Sequence, residues 1–133
     1  MKKTSLLGLV AISLLTLAGC GDPIVGSWEG SDKSCGSHRN EFTIDGSSDD
    51  LTGDGSFWFG TNGGGCVKCS GDITGKQKRE GQYTFSIKFG GGNGCSELPD
   101  GDGDCELKHD DTELQCDIQV GGASFSESYD LVE

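Results

Sequence analysis

Proline is nearly missing: Pro23 and Pro99 are the only two in 133 residues. Set against 24 glycines and scattered aromatic runs, that excludes a Pro-rich disordered tail and points to many turns between short strands. Bases are scarce too. Ten Lys and Arg face 22 Asp and Glu, a balance that argues against nucleic acid and against an electrostatic hold on anionic lipid. It suits a solvated acidic surface, cationic partners or divalent ions. No long apolar run exists. The longest, Leu6 to Ala18, is 13 residues, or roughly 20 Å of helix, where a membrane span takes about 20 residues. After Cys20 no segment carries the helical period. Catalytic signatures are equally missing. There is no Gly-x-Ser-x-Gly elbow, and Gly63-Gly64-Gly65 and Gly90-Gly91-Gly92 lack the lysine and helix start of a phosphate loop. They read as flexible turns, and the chain reads as a non-enzyme.

What is present begins with an export signal. Met1-Lys2-Lys3 is positive, the apolar run follows, and small residues end it. Leu17-Ala18-Gly19-Cys20 resembles the lipobox of bacterial lipoproteins. The resemblance implies a diacylglyceryl group on the Cys20 thiol, cleavage before Cys20, and usually a further acyl chain, such as palmitate, on the new amino terminus. Each buried methylene contributes about 0.8 kcal/mol, so two or more chains anchor stably without a basic patch. In enteric bacteria an aspartate directly after the lipidated cysteine retains the protein in the inner membrane. Here Gly21 holds that place and Asp22 follows, so the resemblance implies the cell envelope, and the outer membrane over the inner. The expected organisation is a signal peptide over 1–19, a lipidated tether over 20–23 and a disulfide-bonded β domain over 24–133.

Removing residues 1–19 takes away two lysines and no acid, so 22 acids face eight bases. Six cysteines remain beside Cys20: Cys35, Cys66, Cys69, Cys95, Cys105 and Cys116. An even number in a small exported domain predicts three disulfides, which supply stability that a small core cannot.

Several segments alternate with the period of half-buried strands. Tyr83, Phe85, Ile87 and Phe89 alternate with Thr84, Ser86 and Lys88. Leu114, Cys116, Ile118 and Val120 do the same with Gln115, Asp117 and Gln119. Shorter stretches around Ile24–Trp28, Phe42–Ile44, Val67–Ile73 and Phe125–Leu131 follow the rule, and Phe57-Trp58-Phe59 reads as a strand covered on both faces. One hairpin can be placed to the residue. A turn centred on Asp110-Asp111 sets Lys108 opposite Glu113, Leu107 opposite Leu114, Glu106 opposite Gln115 and Cys105 opposite Cys116. This register groups unlike charges outside and apolar residues inside. Directly opposed residues in a non-hydrogen-bonded pair lie about 4.5 Å apart, within disulfide range, so a Cys105–Cys116 bridge is predicted. The other four cysteines allow three pairings.

The fold class is therefore all-β: a small antiparallel meander of about eight short strands, barrel or lipocalin-like, with a two-sheet sandwich as the alternative. Gly26-Ser27-Trp28 resembles the Gly-x-Trp start of lipocalins and lipocalin-like bacterial lipoproteins. That resemblance implies a barrel whose tryptophan plugs the floor.

Asp100, Asp102 and Asp104 alternate with glycines and could turn three carboxylates toward Ca²⁺. The calcium-loop template fails at Cys105, which stands where a turn glycine is needed, and no helices flank the segment. An exposed acidic turn is the preferred reading, and no cofactor is expected. Cys66-Val67-Lys68-Cys69 has redox or zinc spacing. It lacks the helix of the first and the further ligands of the second, so structural disulfides are expected. His38 and His109 read as solvent-exposed. The function expected is a membrane-anchored binding module for a small apolar ligand or an envelope protein, with Trp28, the Phe57–Phe59 run, Tyr83, Phe85 and Phe89 facing inward. The alternative is a structural or inhibitor-like lipoprotein that acts through its acidic surface.

Overall fold

Eight segments in which alternate side chains are apolar or absent become eight strands: β1 (Gly26–Gly30), β2 (Glu41–Ser47), β3 (Asp50–Gly60), β4 (Cys66–Arg79), β5 (Gln82–Gly90), β6 (Gly101–Lys108), β7 (Glu113–Val120) and β8 (Ala123–Val132). The computed structural model describes residues 22–92 and 94–132. The expected signal segment 1–19 and the lipid site Cys20 lie outside the described residues. Each strand runs antiparallel to the next, and β8 returns to pair with β1, so the sheet is a closed barrel rather than a sandwich. A 3-10 turn, Cys95–Glu97, sits between β5 and β6.

The wall is apolar inside and polar outside. On β5, Tyr83, Phe85, Ile87 and Phe89 are buried, while Ser86 and Lys88 are exposed. On β6 and β7, Asp102, Asp104, Asp117 and Gln119 are exposed and Cys105, Cys116 and Ile118 buried. A barrel that spans a membrane carries an outward apolar band, and this pattern is the reverse.

An eight-stranded barrel encloses just enough room for side chains to fill. Here the filling is aromatic, and it depends on glycines placed within the strands rather than only in turns. Gly55 on β3 pairs opposite Phe42, Gly71 on β4 pairs opposite Phe89, and Phe85 lies between Gly75 on β4 and Gly103 on β6. A β-carbon at Gly75 would fall 2.3 Å from Phe85 Cδ1. Phe42 and Tyr129 meet edge to face at 4.8 Å, and Phe57 and Phe89 at 5.7 Å, a geometry that aromatic quadrupoles favour. The space left within this core is a void of about 20 Å³ with an apolar lining. That is about one water's worth, so the core has no room for a small organic molecule.

The same rule corrects the reading of residues 100–104. They are not an acidic turn. Gly101 and Gly103 face inward opposite Ile87 and Phe85, and Asp102 and Asp104 stand on the outer wall of β6. Missing side chains at the inward positions concealed the alternation. Asp100 precedes the strand, and no three His, Cys, Asp or Glu residues among the described residues converge to hold a metal. The calcium candidate Asp100, Asp102 and Asp104 is thus spread along a strand instead of gathered in a loop.

The β6–β7 register is Lys108 opposite Glu113 through Cys105 opposite Cys116, with a disulfide at the last pair and 4.0 Å between Cα atoms. The remaining pairings are Cys35–Cys66 and Cys69–Cys95. In an up-and-down barrel the connections alternate between ends. The first described residue, Asp22, the turns at 48–49, 80–81 and 109–112 and the last described residues of β8 share one end. The loops 31–40, 61–65, 91–100 and the turn 121–122 share the other. Cys35–Cys66 ties the first far loop to the start of β4, and Cys69–Cys95 ties β4 to the loop before β6.

The near end is sealed. Ile24 and Trp28 are wholly buried, and the indole Nε1 donates to the Ile24 carbonyl at 2.9 Å. The Asp22 carboxylate accepts hydrogen bonds from the Tyr83 hydroxyl at 2.6 Å and from the Ser48 hydroxyl. Of the residues 20–23 expected as a tether, Asp22 and Pro23 are described, and Asp22 is hydrogen-bonded to the barrel.

The glycine dependence is testable by a pair of alanines. A β-carbon at Gly55 would fall 2.3 Å from the Glu41 carbonyl oxygen and 2.6 Å from Phe42 Cβ, whereas one at Gly60 meets nothing within 4 Å. Gly55→Ala should lower stability by about 1–3 kcal/mol, the usual cost of overpacking. Gly60→Ala should leave it unchanged or raise it. Urea denaturation of the two variants checks this, and equal midpoints would contradict the packing argument.

Candidate functional site

At the far end the barrel opens. Between β3, β5, β7, β8 and the 31–40 loop lies a half-open cup of about 520 Å³; depressions on the outer wall and beside Asp22 are of similar volume, about 500 and 510 Å³, and the aromatic floor sets this one apart. Its floor is the top of the core: Phe57, Ile87, Phe89 and Ile118. Phe59 meets Phe89 edge to face at 5.3 Å, and Phe125, 40% exposed, stands in the β8 wall. These side chains leave aromatic surface at the barrel mouth.

The polar side of the cup is built around one carboxylate. Glu127 occupies the inward position between Phe125 and Tyr129 on β8. Its Oε1 accepts hydrogen bonds from Asn40 Nδ2 at 3.0 Å and from the Tyr129 hydroxyl, and its Oε2 accepts one from Ser34 Oγ at 3.0 Å. Gly30 leaves the room: a β-carbon there would come within 3.0 Å of Glu127 Oε2. Asn40 is buried and satisfied. Its Oδ1 accepts from the Trp58 backbone N–H at 2.7 Å and its carbonyl from Gly30 N–H at 2.8 Å. One residue thus joins β1 through its backbone, and β3 and β8 through its side chain, at the rim.

The 31–40 loop is held down by chemistry spread along it. Cys35 is bonded to Cys66. Arg39 donates to the carbonyls of Gly30 and Ser31, closing the base of the loop. His38 is exposed yet not free: its ring stacks on Trp58 with centroids 3.6 Å apart and planes 6° apart. Trp58 is therefore covered on the outer face and Phe57 on the inner, as expected of that aromatic run. His109 lies at the other end, 2.9 Å from Glu113.

Of the aromatic residues expected to face a ligand, Phe57, Trp58, Phe59 and Phe89 line the cup. Trp28, Tyr83 and Phe85 instead fill the core, each buried. Asn40, Phe125 and Glu127 join the site without having been singled out from sequence. A signal for Glu127 was there: it is an acid in the apolar stripe of Phe125, Tyr129 and Leu131. Cys66 and Cys69 bond to different partners, so the Cys-x-x-Cys spacing here is structural. Compared with known proteins, the chain matches no family model and no curated protein.

The two tyrosines report on the two ends of the barrel. Burial, then the hydrogen bond and charge of Asp22 and the charge of Asp111, push the Tyr83 phenol well above its ordinary value. Burial, then the charge and hydrogen bond of Glu127, do the same to Tyr129. A raised phenol pKa contributes stability that is fully present below the unfolded value near 10 and is lost as pH rises beyond it. The denaturation midpoint should hold level up to about pH 9 and fall above about pH 10, the unfolded phenol value. Tyrosinate absorbance should appear only together with unfolding. A native protein in which either tyrosine ionises near its ordinary pKa would contradict these environments.

Proposed function

We propose that this chain is a lipid-anchored lipoprotein of the bacterial cell envelope, held by acyl chains on Cys20 and placed in the outer membrane, that binds a small ligand in the mouth of its barrel. The observation that carries the reading is the aromatic cup at the end of the barrel opposite Asp22. The core itself is packed, so the ligand sits above it rather than within it, unlike the deep cavity expected of a lipocalin. From Cys20 to Asp22 two residues span at most about 7 Å. An anchor on Cys20 therefore sets the sealed end against the bilayer and turns the cup toward water. The reading is non-enzymatic. Two serine hydroxyls at the cup are engaged on carboxylates, Ser34 on Glu127 and Ser126 on Asp117, and no histidine lines it.

A second reading draws on the outer wall. Glu41, Glu29, Asp130 and Glu113 stand side by side on β2, β1, β8 and β7. Like charges directly opposed are destabilising in a sheet, and a cationic envelope protein laid across them would relieve that cost. Crosslinking in intact cells separates the two readings, because the second requires a protein partner trapped through Glu29 or Asp130.

Two measurements test the first reading. Protein extracted from membranes should begin at Cys20 and carry acyl mass, and Cys20→Ser should move the protein to the soluble fraction. A chain that begins at Met1 with a free thiol at position 20 would overturn the anchor. The neutral dye Nile red should bind the soluble domain at one site, and Phe125→Ser should weaken that binding with little change in stability. Absence of dye binding would overturn the cup as a ligand site.

A further inference from the structure

The charge layout of the cup names a ligand class. We infer that the mouth of the barrel selects an amphipathic organic cation, with an alkyl or aryl body on Phe59, Phe89 and Phe125 and an ammonium group on Glu127. The inference rests on the cup being a ligand site, and it adds the sign of the ligand's charge.

Glu127 carries its negative charge into an aromatic-walled cavity, and the groups that position it are neutral: Asn40, Ser34 and the Tyr129 phenol. They satisfy its lone pairs but leave its charge uncompensated. Among the described residues the ion pairs are Lys108–Glu106 and His109–Glu113, both remote from the cup. Half-buried charge without a counter-ion is costly, so a site that holds such a carboxylate in place is built for a cation. Tyr129 is kept protonated by its burial and by Glu127 itself, so it remains a donor and does not neutralise the acid. Asp32 adds a second carboxylate at the rim against one base, Lys33. The aromatic faces act in the same direction, because ring quadrupoles attract ammonium groups and strengthen where water is excluded. The chain's net charge of −12 raises the local concentration of cations at such a mouth. An anionic ligand of the same shape would meet Glu127 with repulsion.

Three probes with one alkyl chain and different heads test this on the soluble domain by calorimetric titration below their micelle concentrations: decyltrimethylammonium, decanoate and decanol. The cation should bind at least about tenfold more tightly than the carboxylate, a difference of one charge contact. Glu127→Gln keeps an amide oxygen to accept from Asn40 and Tyr129 and turns its amide N–H to Ser34 Oγ, which then accepts; it should weaken the cation on the order of tenfold while leaving decanol unchanged. The wild-type comparison does not depend on any variant folding. If all three probes bind equally in the cup, or decanoate binds best, the cation inference is overturned while the cup remains a ligand site. If none binds, both fall.

Discussion

The width of an eight-stranded barrel is the constraint on which everything else here depends. Such a lumen admits one layer of side chains from each wall. Phe42, Phe57, Phe85, Phe89 and Tyr129 cannot all enter it unless the adjacent strands give way, and they give way at Gly55, Gly71, Gly75 and Gly103. Aromatic residues contribute burial and glycines contribute the space, in pairs across neighbouring strands. The middle of the barrel is consequently solid, and the open space of the cup lies where the aromatic layer reaches the end.

That end differs from the other because of how each is closed. The near end is sealed by local contacts of the first described residues: Asp22 on Tyr83 and Ser48, and Trp28 on Ile24. At the far end, long loops would otherwise be loose, and two disulfides hold them to β4. The crosslinks confine the loops without filling the mouth. Asn40, Arg39 and the His38–Trp58 stack then fix the rim, so the shape of the cup is set by contacts within the chain.

Much of this could be read in the sequence because period two is a local signal. The β5 stripe, the β7 stripe and the β6–β7 register with its Cys105–Cys116 bond follow from neighbouring residues alone. What stayed hidden required three dimensions. Alternation of Asp with Gly over 100–104 looks like a turn until Phe85 and Ile87 are known to lie opposite the glycines. The partners of Cys35 and Cys69 depend on which loops share an end of the barrel. Glu127 meets Asn40 and Ser34 across some ninety residues of chain, so no spacing rule joins them. The division of the aromatics into core and cup also depends on barrel depth, which periodicity does not encode.

The indole N–H of Trp28 tests the central claim most directly, because it lies at the sealed end of the lumen and donates to Ile24. In deuterated water it should exchange only as fast as the strand amides open by global unfolding, while the indole of Trp58, only partly covered at the surface, exchanges earlier. Fast exchange at Trp28 in the native protein would mean that water reaches the lumen, and a solid, closed barrel would be contradicted.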